Sequence, residues 1–334
     1  MRAAIAAAEV GDEQLREDPT VRALEERTAA LLGQETALFL PTATMANQIA
    51  LRLLSQRGDV LVAEQHSHVL VYEFGGAAVH AGLMVAPLPG SGGTFEPAQL
   101  EAMPLPPAGS IDQRPSVLVV ENTHNAAGGR CWPVDRLEAV LATAGRLGIR
   151  CHLDGARLLN AAVAQGVPPW QIAGGFDTVT LCLSKGLGCP LGAVIAGSAA
   201  LMQTAWREKH LFGGAMRQAG IVAAAALYAL DHHVERLADD HRRARRLADA
   251  WYAARLPVDL ARVETNFVQL DFARSALTRE EALGLMGGAG VALSETIHPH
   301  VARAVTHLDL SDADVDRACE LVPAALGERG RAVR

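Results

Sequence analysis

The sequence predicts an α/β protein with a mostly parallel seven-stranded sheet and a smaller α+β region at its C-terminal end. Short apolar runs recur between residues 36 and 198, and segments with helical spacing of apolar residues separate them. Strands that are apolar on both faces are typical of parallel sheets that helices cover on both sides. A long charged helix then introduces a region with a different pattern, which indicates a second domain.

The apolar runs define the strands in chain order. We expect strands at 36–40, 59–64, 83–87, 116–122, 149–154, 177–184 and 192–198. Apolar residues at helical spacing predict helices over 44–58 and 133–147, the second starting at Pro133 and ending before Gly148. The alanine-rich run 221–230 indicates another, tightly packed helix.

The pattern changes near residue 235. A charged helix is expected from about 234 to 255, then a strand over 263–272, and then helix, strand and helix. We therefore predict two domains. The large one covers 1–235 and includes a short helical segment at its N-terminus, and the small α+β one covers 236–334.

Composition argues against several classes of partner. The 334 residues carry a formal net charge of −7, and half of them are apolar, which is ordinary for a globular protein. No basic stripe dominates, so we expect no nucleic-acid partner, and the basic stretch 241–251 is interpreted as a solvated helix face. The longest apolar run is too short to cross a bilayer, so we expect no membrane partner either.

Cysteine use indicates a reducing compartment. The five cysteines are scattered without the spacing of a metal site, and residues 1–13 turn acidic too early for a secretory signal. An odd number of cysteines in a long chain is typical of reduced thiols. We expect a cytoplasmic protein without a metal ion.

Polar side chains gather where the predicted strands end. Ligands of open α/β sheets bind outside the carboxyl ends of the strands, so this position selects candidates for chemistry. It selects Glu121, Asn122, His124, Asp154, Arg157, Ser184 and Lys185, together with the segment 64–68, which ends at His68. We expect these side chains to lie at one edge of the sheet.

Lys185 is unusual because this chain has only one other lysine, Lys209, among its 30 lysine and arginine residues. A lysine at a strand end is most often a surface residue. Here the neighbours are apolar, and Gly186 and Gly188 leave room for a planar group beside the backbone. A partly desolvated amine has a lowered pKa and forms a Schiff base with an aldehyde. This context favours a lysine that binds a carbonyl cofactor.

Four other candidates each have two interpretations. Asp154 either caps the following helix or faces the ring nitrogen of pyridoxal phosphate (PLP), which accepts electrons best when that nitrogen is protonated. Arg157 either forms an ordinary ion pair or binds a substrate carboxylate through its two-donor fork. His68 and His124 are either structural or able to stack on a cofactor ring and move a substrate proton.

One helix start is suited to a phosphate group. Thr42, Ala43 and Thr44 precede an apolar-periodic helix whose N-terminus could bind an anion, although threonine is also a common helix cap. The glycine-rich stretch 89–94 lacks the lysine of a P-loop and is interpreted as a turn. The proline-rich stretch 104–115 is interpreted as a loop.

Seven segments taken together resemble one family. They are EDPTV, SHVLVYEFGGAAV, ENTHN, HLDGARLLNAA, LSKGLGCPLGAVI, GGAMRQAG and RAVTHLDLS. Their order is similar to that in the low-specificity L-threonine aldolases, which are PLP-dependent enzymes of the aspartate-aminotransferase fold type (fold type I). The resemblance extends from about Gly11 to about Val315. It implies that fold and PLP as the cofactor.

The resemblance implies roles for the residues that would hold PLP. Lys185 matches the lysine that binds PLP as a Schiff base, Asp154 the partner of the ring nitrogen, and His68 the histidine that stacks on the ring. Ser184, next to this lysine, is placed among the cofactor-binding residues. Around the phosphate, Ala43 and Thr44 match a Gly-Thr pair, and Arg217 matches a further phosphate contact, which a neighbouring subunit could supply.

The resemblance also implies an activity. His124 would lie near the β-hydroxyl of the substrate, and Arg157 and Arg303 are placed to hold the cofactor and the substrate carboxylate. The reaction would cleave L-threonine, L-allo-threonine and related β-hydroxy-α-amino acids to glycine and an aldehyde, with His68 or His124 as the base. The oligomer would be a dimer or a homotetramer whose sites are shared between subunits.

This chain departs from the family pattern in four places, one of which is Ala43 in place of glycine. Members usually carry an Arg-Ser-Asp-Thr-Val-Thr stretch before the position of Met1, and its serine lies near the substrate carboxylate. Leu15 stands where many members have tyrosine, and His210 where many have lysine. Changes at these positions bear on substrate preference.

Two alternative functions remain. A related PLP enzyme could eliminate a β-substituent, which breaks the Cα–H bond and leaves the Cα–Cβ bond intact. A protein without PLP, either a nucleotide-binding α/β enzyme or a scaffold, is the alternative from another class. The absence of a G-x-G-x-x-G motif after an early strand disfavours a dehydrogenase.

Overall fold

The structure is a computed structural model that describes residues 1–106 and 113–332, so the loop expected over 104–115 lies partly outside the described residues. The chain divides into two compact units. The first unit consists of Met1–Thr123 and Trp132–Val234, and the second of His124–Cys131 and Glu235–Arg334.

The first unit contains a seven-stranded sheet. Its strands are β1 (Thr36–Leu40), β2 (Val60–Glu64), β3 (Met84–Leu88), β4 (Pro115–Glu121), β5 (Arg150–Gly155), β6 (Thr178–Cys182) and β7 (Ala193–Gly197). The strand order is β1-β7-β6-β5-β4-β2-β3, and the four pairs from β3 to β6 are parallel. The mostly parallel seven-stranded sheet predicted from the apolar runs is therefore confirmed.

Strand β7 runs antiparallel to both of its neighbours, β1 and β6. The segment between β6 and β7 is shorter than the dozen or more residues that a crossover between parallel strands needs. It therefore turns back directly, and Cys182 pairs with Ala193 at the start of the antiparallel ladder. This turn contains Lys185.

Ten helices belong to the first unit within the described residues. They are α1 (Arg2–Ala6), α2 (Pro19–Leu32), α3 (Ala43–Leu54), α4 (His68–Val71), α5 (Pro97–Glu101), α6 (Val134–Arg146), α7 (Leu158–Gln165), α8 (Pro169–Ala173), α9 (Ala199–Leu211) and α10 (Gly220–His232). Helix α6 differs in detail from its prediction, because Pro133 is its N-cap in an extended conformation and not its first helical residue. The turn predicted over 89–94 is present, closed by a bridge between Ser91 and Thr94.

The second unit packs three helices against a small antiparallel sheet. The helices are α11 (Leu237–Ala253), α12 (Arg279–Gly288) and α13 (Asp312–Leu326), and the strands β8 (Phe267–Asp271), β9 (Ser294–Glu295) and β10 (Val301–Val305) have the order β8-β10-β9. Trp251 of α11 is wholly buried in its apolar core. Strand β8 is shorter than the predicted run 263–272, since its ladder with β10 covers Phe267–Asp271. Thr265 and Asn266, just before it, donate side-chain hydrogen bonds to the Gly129 and Thr306 carbonyls.

The segment His124–Cys131 groups with the C-terminal residues, although the sequence prediction left it in the larger domain. Hydrogen bonds within the second unit explain the grouping. Gln269 Nε2 donates to the Ala126 carbonyl at 3.2 Å, and Arg130 forms an ion pair with Glu264. Among the described residues, no helix is long and apolar enough to cross a membrane.

Lys209 is buried inside the first unit and stabilises its N-terminal segment. It is wholly buried on α9, where its Nζ donates to a Glu13 carboxylate oxygen and, at 2.7 Å, to the Phe39 carbonyl. Burial lowers the pKa of Lys209, and the bond to Glu13 opposes that effect. Such a buried pair is stabilising only while both partners remain, because either charge alone would be buried without compensation.

Glu25 lies beside this pair and titrates in an unusual range. It is half-buried on α2, and its Oε1 accepts a hydrogen bond from Phe39 N at 2.8 Å. Burial raises the pKa of Glu25 from 4.5 to about 7, although the Phe39 N–H and the charges of Lys209 and Arg16 oppose the rise. The folded chain therefore binds this proton more tightly than the unfolded chain does.

We predict that Glu25→Gln removes a pH-dependent loss of stability. A carboxyl whose pKa is raised in the folded state stabilises the fold below its unfolded pKa, and that contribution is lost as pH rises towards about 7. The variant and the wild type should therefore have equal melting temperatures near pH 4, and the variant should melt higher above pH 7. Thermal unfolding monitored by circular dichroism measures both. Glu26→Gln, on the exposed side of the same helix, is the control, and a pH-independent difference for Glu25→Gln would contradict the prediction.

Candidate active site

The predicted strand-end residues of the first unit lie at one edge of the sheet. Glu121 pairs with Asp154 across β4 and β5, and Asp154 pairs with Thr180 across β5 and β6. Lys185 follows the end of β6 by three residues. Because these strands are parallel, their carboxyl ends place the two acids and the lysine along the same edge, where ligands of such sheets bind.

Lys185 is the available lysine of the chain. Its side chain is half-buried, and among the described residues none forms a hydrogen bond or an ion pair with its amine. Its carbonyl accepts a bond from Gly188 N at 2.9 Å, which closes a turn where Gly188 has a φ of +70°. Lys209, in contrast, uses its amine to bind Glu13. Only one of the two lysines therefore has an amine without an internal partner.

Asp154 is a buried carboxylate that retains acceptor capacity. It is 1% exposed, its Oδ2 accepts from Asn47 Nδ2 at 2.9 Å, and its Oδ1 accepts from Ala156 N at 3.2 Å. The next residue, Gly155, fits because a Cβ there would lie 2.5 Å from the Thr180 carbonyl oxygen. A carboxylate accepts about four hydrogen bonds, so Asp154 can still bind a cationic N–H.

His68 begins helix α4 and lies against a second buried carboxylate, Glu73. The His68 Nδ1 is 2.8 Å from Glu73 Oε1, and the His68 backbone N–H donates to Glu121 Oε2 at 2.6 Å. Burial alone lowers the pKa of His68, but the bond to Glu73 and the charges of Asp154, Glu73 and Glu121 outweigh it, so the pKa is raised. Since the carboxylate can only accept, Nδ1 carries a proton and Nε2 is the atom left for a ligand.

Sequence reasoning missed Glu73, Asn47 and Gln48, which hold this cluster together. Asn47 Nδ2 donates to Glu73 Oε1 at 2.9 Å as well as to Asp154, and Gln48 Nε2 donates to Glu73 Oε2 at 2.6 Å. Gly76 leaves room for this amide, because a Cβ there would lie 2.7 Å from the Gln48 side chain. The available signal was two adjacent amides, Asn47 and Gln48, within the apolar-periodic part of a predicted helix.

The same cluster has the composition of a metal site. One ligand atom each from His68, Glu73 and Asp154 lies within 4.8 Å of the other two. However, Glu73 Oε1 already accepts hydrogen bonds from Asn47 and His68. Glu73 therefore binds the imidazole and an amide with the oxygen that a metal ion would need. The expected absence of a metal stays a prediction.

Helix α3 connects this cluster to the predicted phosphate position. Its N-cap is Thr42, whose Oγ1 accepts from Met45 N at 3.1 Å, so Ala43 and Thr44 form the first turn. Asn47 is one turn further along the helix. The N-terminal amides of a helix favour an anion, and the phosphate contact predicted for Ala43 and Thr44 stays a prediction. The same helix carries the two amides of the carboxylate cluster.

The remaining candidates of the first unit have different surroundings. Arg157 is the half-buried N-cap residue of α7. Ser184 is exposed, with its Oγ 3.4 Å from Cys182 Sγ. Arg217 is 62% exposed and donates to Asp12 Oδ2 at 2.6 Å. These contacts of Ser184 and Arg217 do not connect them to the strand-end cluster, and their proposed roles stay predictions.

His124 and Arg303 belong to the second unit, where one loop relates them. His124 is 1% exposed, and Ala127 N donates to its Nδ1 at 3.3 Å. Arg303 on β10 donates to Asn125 Oδ1 at 2.7 Å, and its guanidinium lies 4.9 Å from the centre of the Phe267 ring. The loop segment ENTHN and the strand segment RAVTH, separate in sequence, therefore meet through the Arg303–Asn125 bond.

Comparison with known proteins identifies related chains. A family model described as beta-eliminating lyase matches residues 1–275. The chain is 39% identical over 322 residues to the probable low-specificity L-threonine aldolase 2 of Arabidopsis thaliana, an alignment that covers 95% of this chain and 90% of that protein. It is 38% identical over 315 residues to the low specificity L-threonine aldolase of Escherichia coli strain K12, covering 93% and 90%.

A solved structure of a Leishmania major threonine aldolase superposes on this chain with a TM-score of 0.82. The superposition covers 97% of this chain and 94% of that one, at 19% sequence identity. This likeness confirms the fold that the sequence predicted.

We predict that Glu73→Gln lowers the pKa of His68. The substitution keeps the shape of the side chain but removes the charge that holds the imidazolium proton, and burial then lowers the pKa with less opposition. The His68 ring resonances, followed by NMR over pH 5 to 9 in the protein without cofactor, measure the change. Glu64→Gln is the control, because Glu64 is a buried strand-end carboxylate that accepts from His66 N. An unchanged His68 titration in Glu73→Gln would show that this carboxylate does not hold the ring.

Proposed function

This chain belongs to the beta-eliminating lyase family and, by the relatives that it matches, to the low-specificity L-threonine aldolases, and on that premise we propose its reaction. The enzyme is a PLP-dependent lyase. Its reaction is the cleavage of L-threonine, L-allo-threonine and related β-hydroxy-α-amino acids to glycine and an aldehyde. The observation that carries the proposal is the unpaired Lys185 amine at the same sheet edge as the buried Asp154 carboxylate.

The residues of the first unit fit PLP. When bound, PLP supplies a carbonyl that condenses with a primary amine and a ring that takes up the electrons released at Cα. Lys185 would hold it through its amine, and Asp154 has the acceptor capacity to keep the ring nitrogen protonated. The amides of Ala43 and Thr44 would bind the phosphate, and the imidazole of His68 would lie against the ring, since it lies beside Asp154.

Arginine side chains would orient the substrate. Arg157 and Arg303 each offer a planar pair of donors that matches a carboxylate. By fixing the carboxylate, the two arginines would decide which bond at Cα is presented for cleavage, and PLP would supply the acceptor for the electrons of that bond. In threonine cleavage the selected bond is Cα–Cβ. Orientation thus decides between cleavage and competing reactions at the same carbon.

The two histidines differ in which nitrogen can accept a proton. In His68, Nδ1–H is bound to Glu73, so Nε2 of the neutral ring is a base. In His124, Nδ1 accepts from Ala127 N, so Nε2 of the neutral ring carries the proton and is a donor. We assign to His68 the removal of the β-hydroxyl proton and to His124 a hydrogen bond to the β-oxygen. As that proton leaves, the Cα–Cβ bond breaks, the oxygen becomes the aldehyde carbonyl, and Cα later takes up a proton to give glycine.

β-Elimination is the second candidate function, because the family model that matches is named for it. In that reaction the Cα–H bond breaks and the substituent on Cβ departs with its electron pair. The products distinguish the two reactions. L-Threonine gives glycine and acetaldehyde in the proposed reaction, whereas elimination from other substrates gives pyruvate and ammonia.

Assembly and location are further parts of the proposal. We propose a homo-oligomer, either a dimer or a homotetramer, in which Arg217 of one subunit reaches the phosphate in another. Phe74, Val79 and Leu211 support this, because these large apolar side chains are exposed in the single chain. All five cysteines are unpaired, which supports a reducing, cytoplasmic location.

We predict that borohydride reduction of the protein with PLP attaches the cofactor to Lys185. Peptide mapping by mass spectrometry should find the adduct on the Lys185 peptide and none on the Lys209 peptide, because the second amine is buried in its pair with Glu13. Lys185→Ala should lose the adduct, the visible absorbance of the bound cofactor and the release of acetaldehyde from L-threonine.

The Lys209 peptide of the wild type serves as the internal control. A Lys185→Ala protein that kept the visible band would overturn the assignment of the lysine. A wild-type protein that shows no visible band and no trapped lysine would contradict the assignment of PLP as the cofactor. That result would favour the alternative of an α/β protein without PLP. Pyruvate and ammonia from other amino-acid substrates, without glycine from L-threonine, would favour elimination.

A further inference from the structure

Asn47 uses both donor hydrogens of its amide within the carboxylate cluster. Its Nδ2 donates one bond to Asp154 Oδ2 and one to Glu73 Oε1, each of 2.9 Å, and its Oδ1 lies 3.1 Å from His152 Nε2. The side chain is 1% exposed, so water does not compete for these bonds. A primary amide has two donor hydrogens, and here both point at buried carboxylates.

His152 fixes the orientation of this amide. The ring is wholly buried, and burial lowers its pKa to about 4, so it is neutral at physiological pH. Because Asn47 Oδ1 can only accept, Nε2 carries the ring proton. The other nitrogen, Nδ1, then carries no proton. It lies 2.9 Å from Thr178 Oγ1, which must donate to it, and 3.1 Å from the Thr178 carbonyl oxygen, with which it forms no bond in this tautomer. Thr178, His152 and Asn47 thus form a series of donors that ends on the two carboxylates.

The opposite orientation of the amide is excluded by charge. Rotating it would place Oδ1, which can only accept, against the carboxylate oxygens of Asp154 and Glu73. Two attractive bonds to anions would become repulsive contacts, each in a buried environment where such terms are large. The side chain therefore has one arrangement, and that arrangement ties the positions of the two carboxylates to each other.

We propose that Asn47 is a positioning residue that joins the carboxylate facing the cofactor ring to the carboxylate that holds His68. The proposal rests on the proposed function, because it assigns Asp154 to the ring nitrogen. Asn47 keeps the outer lone pairs of Asp154 directed at that nitrogen while Glu73 fixes the His68 ring. Loss of this amide should weaken PLP binding even though Asn47 itself need not touch PLP.

Gln48 provides a matched control. It is the next residue of the same helix, equally buried, and it donates to Glu73 but does not reach Asp154. We expect Asn47→Ala to raise the dissociation constant for PLP by about tenfold or more, because one charge-assisted hydrogen bond to Asp154 is lost. Gln48→Ala should change this dissociation constant by less than about threefold. Titration of the cofactor-free proteins with PLP, followed by visible absorbance, measures both. Equal dissociation constants for the two variants, whether changed or unchanged, would overturn the proposal.

Asn47→Asp tests the same point in a variant of nearly identical shape, in case Asn47→Ala does not fold. The introduced carboxyl still accepts from His152, but in its ionised form it repels Asp154 and Glu73. When protonated it donates one bond to a carboxylate. The ratio of its PLP dissociation constant to that of the wild type should therefore fall as pH decreases from 8 to 6. A ratio that does not vary with pH would contradict the proposed role.

A measurement without cofactor separates this proposal from the proposed function. The amide hydrogens of Asn47 offset the negative charge of the groups that face it, Asp154 and Glu73, and the same charges act on His68. In the cofactor-free protein, Asn47→Ala or Asn47→Asp should raise the pKa of His68 measured by NMR. If the wild-type protein binds no PLP, the proposed function is wrong, and this measurement alone decides the role of Asn47. A His68 pKa that is unchanged in both variants would contradict the positioning role of Asn47.

Discussion

The burial of two carboxylates, Asp154 and Glu73, is the constraint that the surrounding structure satisfies. An ionised group taken out of water is costly unless hydrogen bonds replace its hydration. Here the backbone of Ala156 and the side chains of Asn47, Gln48 and His68 supply those bonds. Helix α3, whose buried residues are otherwise apolar, consequently carries two buried amides, Asn47 and Gln48. These bonds connect helix α3 to both carboxylates.

Sequence reasoning predicted the sheet well because its signal is local. An apolar run of strand length identifies a buried strand by itself, and chain order then places the strand ends that carry Asp154 and Lys185. It could not give the direction of β7, because an apolar run looks the same in either direction. It also missed the contacts of Asn47, whose partners are 26 and 107 residues away. One sequence has no signal for such pairing beyond the polarity of the residues themselves.

The amino-acid composition alone does not distinguish the two lysines. The rarity of lysine in this chain made Lys185 noticeable, but the same argument applies to Lys209. Their surroundings separate them. The Lys209 amine is wholly buried between the Glu13 carboxylate and the Phe39 carbonyl, which fits a cation that stabilises the fold. The Lys185 amine lies in a turn between antiparallel strands, half-buried and without a described partner, which fits a group that reacts.

The histidines follow the same principle, since the partner of one ring nitrogen determines the chemistry of the other. His68 is held at Nδ1 by a carboxylate, and His124 by a backbone N–H, so their outer nitrogens have opposite polarity in the neutral ring. Sequence identifies both only as histidines near strand ends. The carboxylate also contributes to raising the pKa of His68, so the neutral ring that can accept a proton forms at a higher pH than it would in a free imidazole. The local contacts of the two residues therefore give one outer nitrogen that accepts a proton and one that donates, which is the difference on which their proposed roles rest.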